Sequence, residues 1–182
     1  MTKVALRIFS IKLLKITYQI AKLINGKKPR AKTEERKMAN TSVIVIPEGK
    51  ICDYVDGKFR NDTPEEYVRQ TIEKRLVNEH KYLPKQIRIE YTLQLGSRKP
   101  RADIVIFDKD CGEQTQENIK IIIECKKEAV EARNAKDGVE QLKSYMSACP
   151  NCEWGMWTNG RQKEVYHKYV NDKGQIDFMD YN

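Results

Sequence analysis

Two apolar, β-branched runs constrain this chain more than anything else in it: Ala102-Asp103-Ile104-Val105-Ile106-Phe107 and Ile121-Ile122-Ile123-Glu124-Cys125-Lys126. Short continuous runs of this kind read as buried strands, so the chain needs a sheet with cover over it. Yet each run carries charge. Charge at the end of an otherwise buried strand is costly unless it is paired or bound to an ion. Glu124 and Lys126, two apart, share one strand face, while Ile121, Ile123 and Cys125 point the other way. Asp103 opens the neighbouring strand, within reach of Glu124. Two carboxylates and the backbone carbonyl between them suit Mg2+, which takes hard oxygen ligands and keeps several waters. Such an ion polarises a phosphodiester and lowers the pKa of a bound water, which a nearby lysine holds or helps to deprotonate. The competing reading of Ile-Glu-Cys-Lys-Lys is a solvent-facing salt bridge on an edge strand.

The remaining pattern supplies the sheet and its cover. Ser42–Ile46 reads as a short strand. A helix is expected from Asp62 or Thr63, with Pro64 at its first position, to about His80, turning Val68, Ile72 and Leu76 inward. Ile87–Leu93 alternates as a half-buried strand; Asp103–Phe107 and Ile119–Lys126 follow, joined by a polar loop from Asp108 to Asn118. Ala135–Ala148 is expected to be helical, with Ala135, Val139, Leu142 and Met146 as its core stripe. Trp154–Thr158 and Glu164–Val170 flank Asn159-Gly160, a hairpin signal. Helix, three strands, helix and two strands predict an α/β domain with a central mixed sheet flanked by helices.

Charge divides this chain sharply. Residues 1–37 carry eleven Lys/Arg against two Asp/Glu, a balance of +9, and residues 38–182 carry twenty-three against twenty-four, a balance of −1. The globular part must therefore neutralise phosphate with a few placed cations or a bound metal. Residues 4–24 show an amphipathic helical stripe (Leu6, Phe9, Leu13, Ile16, Ile20 and Leu23) opposed by lysines, too interrupted for a membrane span. A basic helix of that kind suits a membrane surface, nucleic acid or a docking partner, and 25–37 reads as a linker. Met38 precedes the first globular segment, so a non-native upstream extension is the fourth reading; 38–182 is taken as the domain. Five cysteines, an odd number without an export signal, argue for reduced thiols and a cytoplasmic setting. The single Cys149-Pro150-Asn151-Cys152 pair lacks the second pair that a zinc site needs. His80 and His167 have no partner spacing. No phosphate-binding G-x-x-x-x-G-K-[ST] stretch is present, which excludes an encoded P-loop motor.

Gln141 and Tyr145, one helical turn apart, flank the core stripe of the second helix. Thr63-Pro64-Glu65-Glu66 fits a capping box, with Glu66 reaching back to the Thr63 amide, and a catalytic reading of Glu66 stands beside that one. Taken in order, Asp103, Glu124-x-Lys126 and Gln141-x-x-x-Tyr145 on strand, strand and helix resemble the PD-(D/E)xK nuclease superfamily, with Arg101-Ala102-Asp103 lacking the leading proline. More narrowly, Thr63–Val170 resembles the N-terminal nuclease domain of type I restriction enzyme R subunits, carried by Pro64–Gln70, Arg101–Asp103, Ile123–Lys126, Gln141-x-x-x-Tyr145 and Thr158–Gly160.

That resemblance implies a restriction-endonuclease-like fold and a Mg2+-dependent DNA endonuclease, with Mn2+ as an alternative ion. Asp103 and Glu124 would hold the metal, with the Cys125 carbonyl. Lys126 would position the water. Gln141 and Tyr145 would touch the DNA backbone or brace the catalytic strand, and Glu66 would support the metal site. The implied partners are DNA, restriction-modification or helicase-like subunits encoded elsewhere, and a second copy of the chain for double-strand cutting. Two other functions stand beside this one: a non-catalytic DNA-binding or assembly module of the same fold, and attachment to anionic lipid through the tail.

Overall fold

A computed structural model describes residues 45–134 and 136–181. The basic segment 1–37, most of the strand expected over Ser42–Ile46, and Ala135 lie outside them. Val45 and Ile46, at that strand's end, are exposed and outside any strand.

The described chain begins with a small antiparallel hairpin, β1 (Lys50–Cys52) and β2 (Phe59–Asn61). Its turn is built by Asp53, whose Oδ1 accepts from the Val55 and Asp56 amides at 2.9 Å. Helix α1 (Pro64–Asn78) follows at once, capped by the Thr63 hydroxyl, which accepts from the Glu66 amide. Ile72 and Leu76 are buried and Val68 is half-buried, as the helical spacing predicts. The same helix also buries Glu66, Arg69, Gln70 and Glu73, a polar stripe that periodicity did not reveal.

The main sheet has six strands in sequence order: β3 (Ile87–Thr92), β4 (Arg101–Phe107), β5 (Ile119–Cys125), β6 (Trp154–Thr158), β7 (Lys163–Val170) and β8 (Ile176–Asp180). Every neighbouring pair is antiparallel except β5–β6, which is parallel. A parallel pair needs a crossover, and helix α2 (Val139–Ala148) supplies it. Val105, Ile122, Gly155 and Tyr166 stand in one row across β4–β7. Leu142 and Met146 of α2 pack so closely over that row that a Cβ at Gly155 would collide with the Met146 sulfur. The adjacent row (Ile104, Ile123, Met156 and Val165) points to the opposite face and is equally buried, on the side of α1. The expected mixed sheet with helices on its faces is thus the observed one, consistent with a restriction-endonuclease-like fold.

Several boundaries differ from the sequence expectation. Helix α2 starts at Val139 and not at Ala135, because Gly138 is extended at φ −88° and ψ −160° and breaks any helical run before it. The Val139 amide donates back to the Ala132 carbonyl at 2.9 Å, and a side chain at Gly138 would run into the Ala132 and Asn134 carbonyls. Strand β4 begins two residues before Asp103, so Asp103 is its third residue and not its first. Strands β1, β2 and β8 were not expected. Among the described residues, no helix is long and apolar enough to cross a membrane.

Candidate functional site

The ladder between β4 and β5 runs in register from Ile106↔Ile121 to Ile104↔Ile123 and stops there. One residue further on, side chains replace backbone in the pairing. The Asp103 amide donates to Glu124 Oε1 at 3.2 Å, and the Cys125 amide donates to Asp103 Oδ2 at 2.7 Å. Two strand ends that would splay are thus held by a reciprocal pair of carboxylate–amide bonds. Lys126 closes the group, with its Nζ 3.3 Å from Glu124 Oε2 and 3.8 Å from Asp103 Oδ2.

Burial sets the electrostatics. Glu124 is 0% exposed and Lys126 8%, in the interior of the sheet, so the solvent-facing edge-strand alternative does not describe them. Loss of solvent, then the nearby Asp103 charge, push the Glu124 carboxyl up to about 8. Burial likewise raises Asp103, against the pull of Lys126. Burial disfavours the Lys126 ammonium, but Glu124 and Asp103 outweigh it and hold its pKa above the ordinary value. The result is a charged lysine beside two carboxylates that are short of positive charge.

Asp103 and Lys126 open onto a cleft of about 620 Å3 whose other wall is α1 and the β1–β2 hairpin. Its cations are Lys50, Arg60, Arg69, Arg101 and Lys126; its carboxylates are Glu65, Glu66, Glu90 and Asp103. Five cations against four carboxylates make the cleft densely charged and close to neutral.

Glu66 faces this cleft, and only half of the expected capping box forms. The Thr63 hydroxyl takes the Glu66 amide, but the Glu66 carboxylate accepts from Arg69 and, at 3.0 Å, from Gln70, and does not return to Thr63. These partners lie three and four residues on, the helical spacing that signals such pairs. Gln141 donates to the Tyr145 hydroxyl at 2.7 Å, but the pair does not line the cleft. Tyr145 belongs to the core cluster with Ile122, Leu142 and Trp157, and the charges of Glu124, Lys126 and Asp103 act on its hydroxyl.

Sequence reasoning missed Glu65, Arg69 and Glu90. Glu65 adjoins the site closely enough that Lys126 opposes the rise burial imposes on its carboxyl. Glu90 adopts φ +53°, rare for a residue with a side chain, and its carboxylate lies 3.5–3.7 Å from Arg60, Arg69 and Arg101. No sequence signal marks that conformation.

Asn159 ties the site's exit loop in place. Its amide donates to the Glu128 and Val130 carbonyls, while its Oδ1 accepts from the Arg161 and Gln162 amides. Gly160 completes the turn at φ +87°. The Cys149/Cys152 pair lies in the turn between α2 and β6, where burial pushes the thiols up to about 11 and about 12. All five cysteines are free thiols. His167 stacks against Trp154 with ring centroids 4.5 Å apart, away from the cleft.

Hard carboxylate oxygens match the donor chemistry of Mg2+, which needs one or two carboxylates and otherwise keeps its waters. Asp103 Oδ1 stays outside the bracing bonds. Among the described residues, no three His, Cys, Asp or Glu side chains converge into a ready-made cage.

The fold is that of a restriction-endonuclease-like α/β module, with an acidic pair and a lysine where the β4–β5 ladder ends. The family model for the type I restriction enzyme R protein N terminus matches residues 64–181, and the chain belongs to that family. No curated protein and no solved structure matches the chain.

Proposed function

We propose that this protein is a Mg2+-dependent DNA endonuclease of the PD-(D/E)xK kind, a cytoplasmic module of a restriction system. The observation that carries the reading is the Asp103–Glu124–Lys126 cluster, buried at its root and open at its tip to a cleft lined by charges of both signs. Asp103 and Glu124 would hold the ion, with the Cys125 carbonyl; Mn2+ has the same donor preference. When bound, it supplies Lewis-acid polarisation of the phosphodiester and a lowered pKa for water. Lys126, held as an ammonium, orients the attacking water and stabilises charge on the phosphoryl oxygens; it is too basic to be the proton acceptor in the metal-free site. Attack of the water forms a P–O bond and releases its proton to solvent, the opposite P–O bond breaks, and the leaving oxygen takes a proton from solvent. Gln141 and Tyr145 brace the strand. Glu66, through Arg69 and Gln70, holds the α1 wall of the cleft.

Supercoiled plasmid, incubated with and without Mg2+, tests this reading. Wild-type protein should nick or linearise it only with the ion. Asp103→Ala, Glu124→Ala and Lys126→Ala should each lose about 100-fold or more, as removal of transition-state charge stabilisation does. Full activity in Lys126→Ala would remove the site assignment. Methylation and helicase-like subunits encoded elsewhere are the proposed partners, with a second copy of the chain for the opposite strand.

One observation favours a non-catalytic DNA-binding or assembly module instead: both Glu124 oxygens and one Asp103 oxygen are already engaged within the protein. Calorimetric titration separates the two, since a module without an ion site shows no saturable Mg2+ or Mn2+ binding.

A further inference from the structure

The cleft is completed by a piece of chain outside the family match. That match begins at residue 64, while Lys50, Phe59, Arg60 and Asn61 of the β1–β2 hairpin form one wall of the cleft. In an antiparallel ribbon, directly opposed residues share a face. The register Lys50↔Asn61 and Cys52↔Phe59 therefore puts Lys50, Phe59 and Asn61 on one side and Ile51 and Arg60 on the other.

The Arg60 side is an anchor. Arg60 Nη1 lies 2.7 Å from Asp53 and 2.8 Å from Asp56, clamping the hairpin's turn to its second strand. Gln70 of α1 bolts the hairpin to the helix, accepting from the Tyr54 amide at 3.0 Å and donating to the Cys52 carbonyl at 3.3 Å. A ribbon this short would not hold its shape unaided; here buried polar contacts fix it.

The other side is left to solvent. Phe59 is 44% exposed, a large apolar ring beside a densely charged cleft. Lys50 is oriented by a 2.6 Å bond to Asn61 Oδ1, and across the cleft the Arg101 side chain is 63% exposed. An aromatic face flanked by cations is the arrangement that binds a nucleic-acid strand: the ring stacks on a base and the cations follow the backbone. The cleft volume of about 620 Å3 falls among pockets that take a small organic ligand, about 300–1,000 Å3. That is room for one nucleotide inside the cleft.

We infer that the β1–β2 hairpin is a strand clamp: Phe59 stacks on an unpaired base beside the scissile phosphate, and Lys50 and Arg101 take the flanking phosphates. The inference rests on the nuclease reading for the position of that phosphate, and it adds a substrate preference, DNA with an unpaired nucleotide. The clamp is rigid before binding, so little ordering cost opposes the contact.

Fluorescence anisotropy of the full chain, in chelator, with a labelled single-stranded oligonucleotide and with the blunt duplex of the same sequence, tests the clamp. Wild-type protein should prefer the single strand. Phe59→Ala should weaken single-strand binding by about tenfold, the scale of one lost stacking contact, while Phe59→Trp retains it. Duplex binding should change less than single-strand binding, and Lys50→Ala should reduce the salt dependence of the single-strand complex by about one phosphate contact. Equal single-strand affinity in wild type and Phe59→Ala would overturn the clamp, as would a Phe59→Trp protein as weak as Phe59→Ala. Tighter binding of RNA than of DNA of the same sequence would overturn the DNA assignment. Because no divalent ion is present, Phe59-dependent binding in a protein that never cleaves plasmid leaves the clamp standing and removes the catalytic reading. Normal cleavage with Phe59-independent binding does the reverse.

Discussion

Glu73 makes the sharpest prediction at the scale of one residue. It is fully buried on α1, neither carboxylate oxygen accepts a hydrogen bond, and its nearest cation, Arg69 Nε, is 3.6 Å away. Burial first, then the Asp53 charge, push its carboxyl from 4.5 to about 8. Across that window the folded protein keeps a proton that the unfolded chain has released. The resulting stability is complete below the unfolded value of 4.5, declines as pH rises, and is gone above about 8. Urea midpoints across that range should fall with pH in wild-type protein and fall less in Glu73→Gln; parallel curves would show that Glu73 is ionised in the fold. Asp103, Glu124 and Lys126 were legible in sequence because each interrupts an apolar run, and the structure brings the three together. Glu65, Arg69 and Glu73 were not, since on a helix only packing decides which polar residues turn inward.

At the scale of elements, legibility followed length and apolar content. The long strands and both helices announce themselves through periodicity. Strands β1 and β2, three residues each, owe their existence to side-chain bonds from Asp53 and Gln70 that no pattern encodes. Strand β8 reads ambiguously because most of it is exposed. The Asn159-Gly160 dipeptide was read correctly as a hairpin, but its second duty, fastening the loop that leaves Lys126, depends on contacts distant in sequence. Asn159→Ala would strand two loop carbonyls and two turn amides, a cost of about 2–4 kcal/mol for the group. A lowered denaturation midpoint with faster amide exchange in the 127–134 loop is the expected outcome. Unchanged loop exchange would mean that the loop is held by other bonds.

The whole molecule separates charge from site. With residues 38–182 at −1, bulk attraction for DNA must come from the +9 segment before them. Filter-binding of the full chain should therefore show a steep salt dependence, and a chain beginning at Met38 a shallow one, of the few phosphates that the cleft cations reach. A steep slope in the shorter chain would place the attraction in the globular part instead. The six strands also form two antiparallel meanders, β3–β4–β5 and β6–β7–β8, sewn by the one parallel seam between β5 and β6. Neighbouring strands pair early in folding, whereas a seam spanning a crossover helix must first close a long loop. Glu124 lies on that seam, opposite Trp157. Its high proton affinity therefore depends on the second meander being docked against the first.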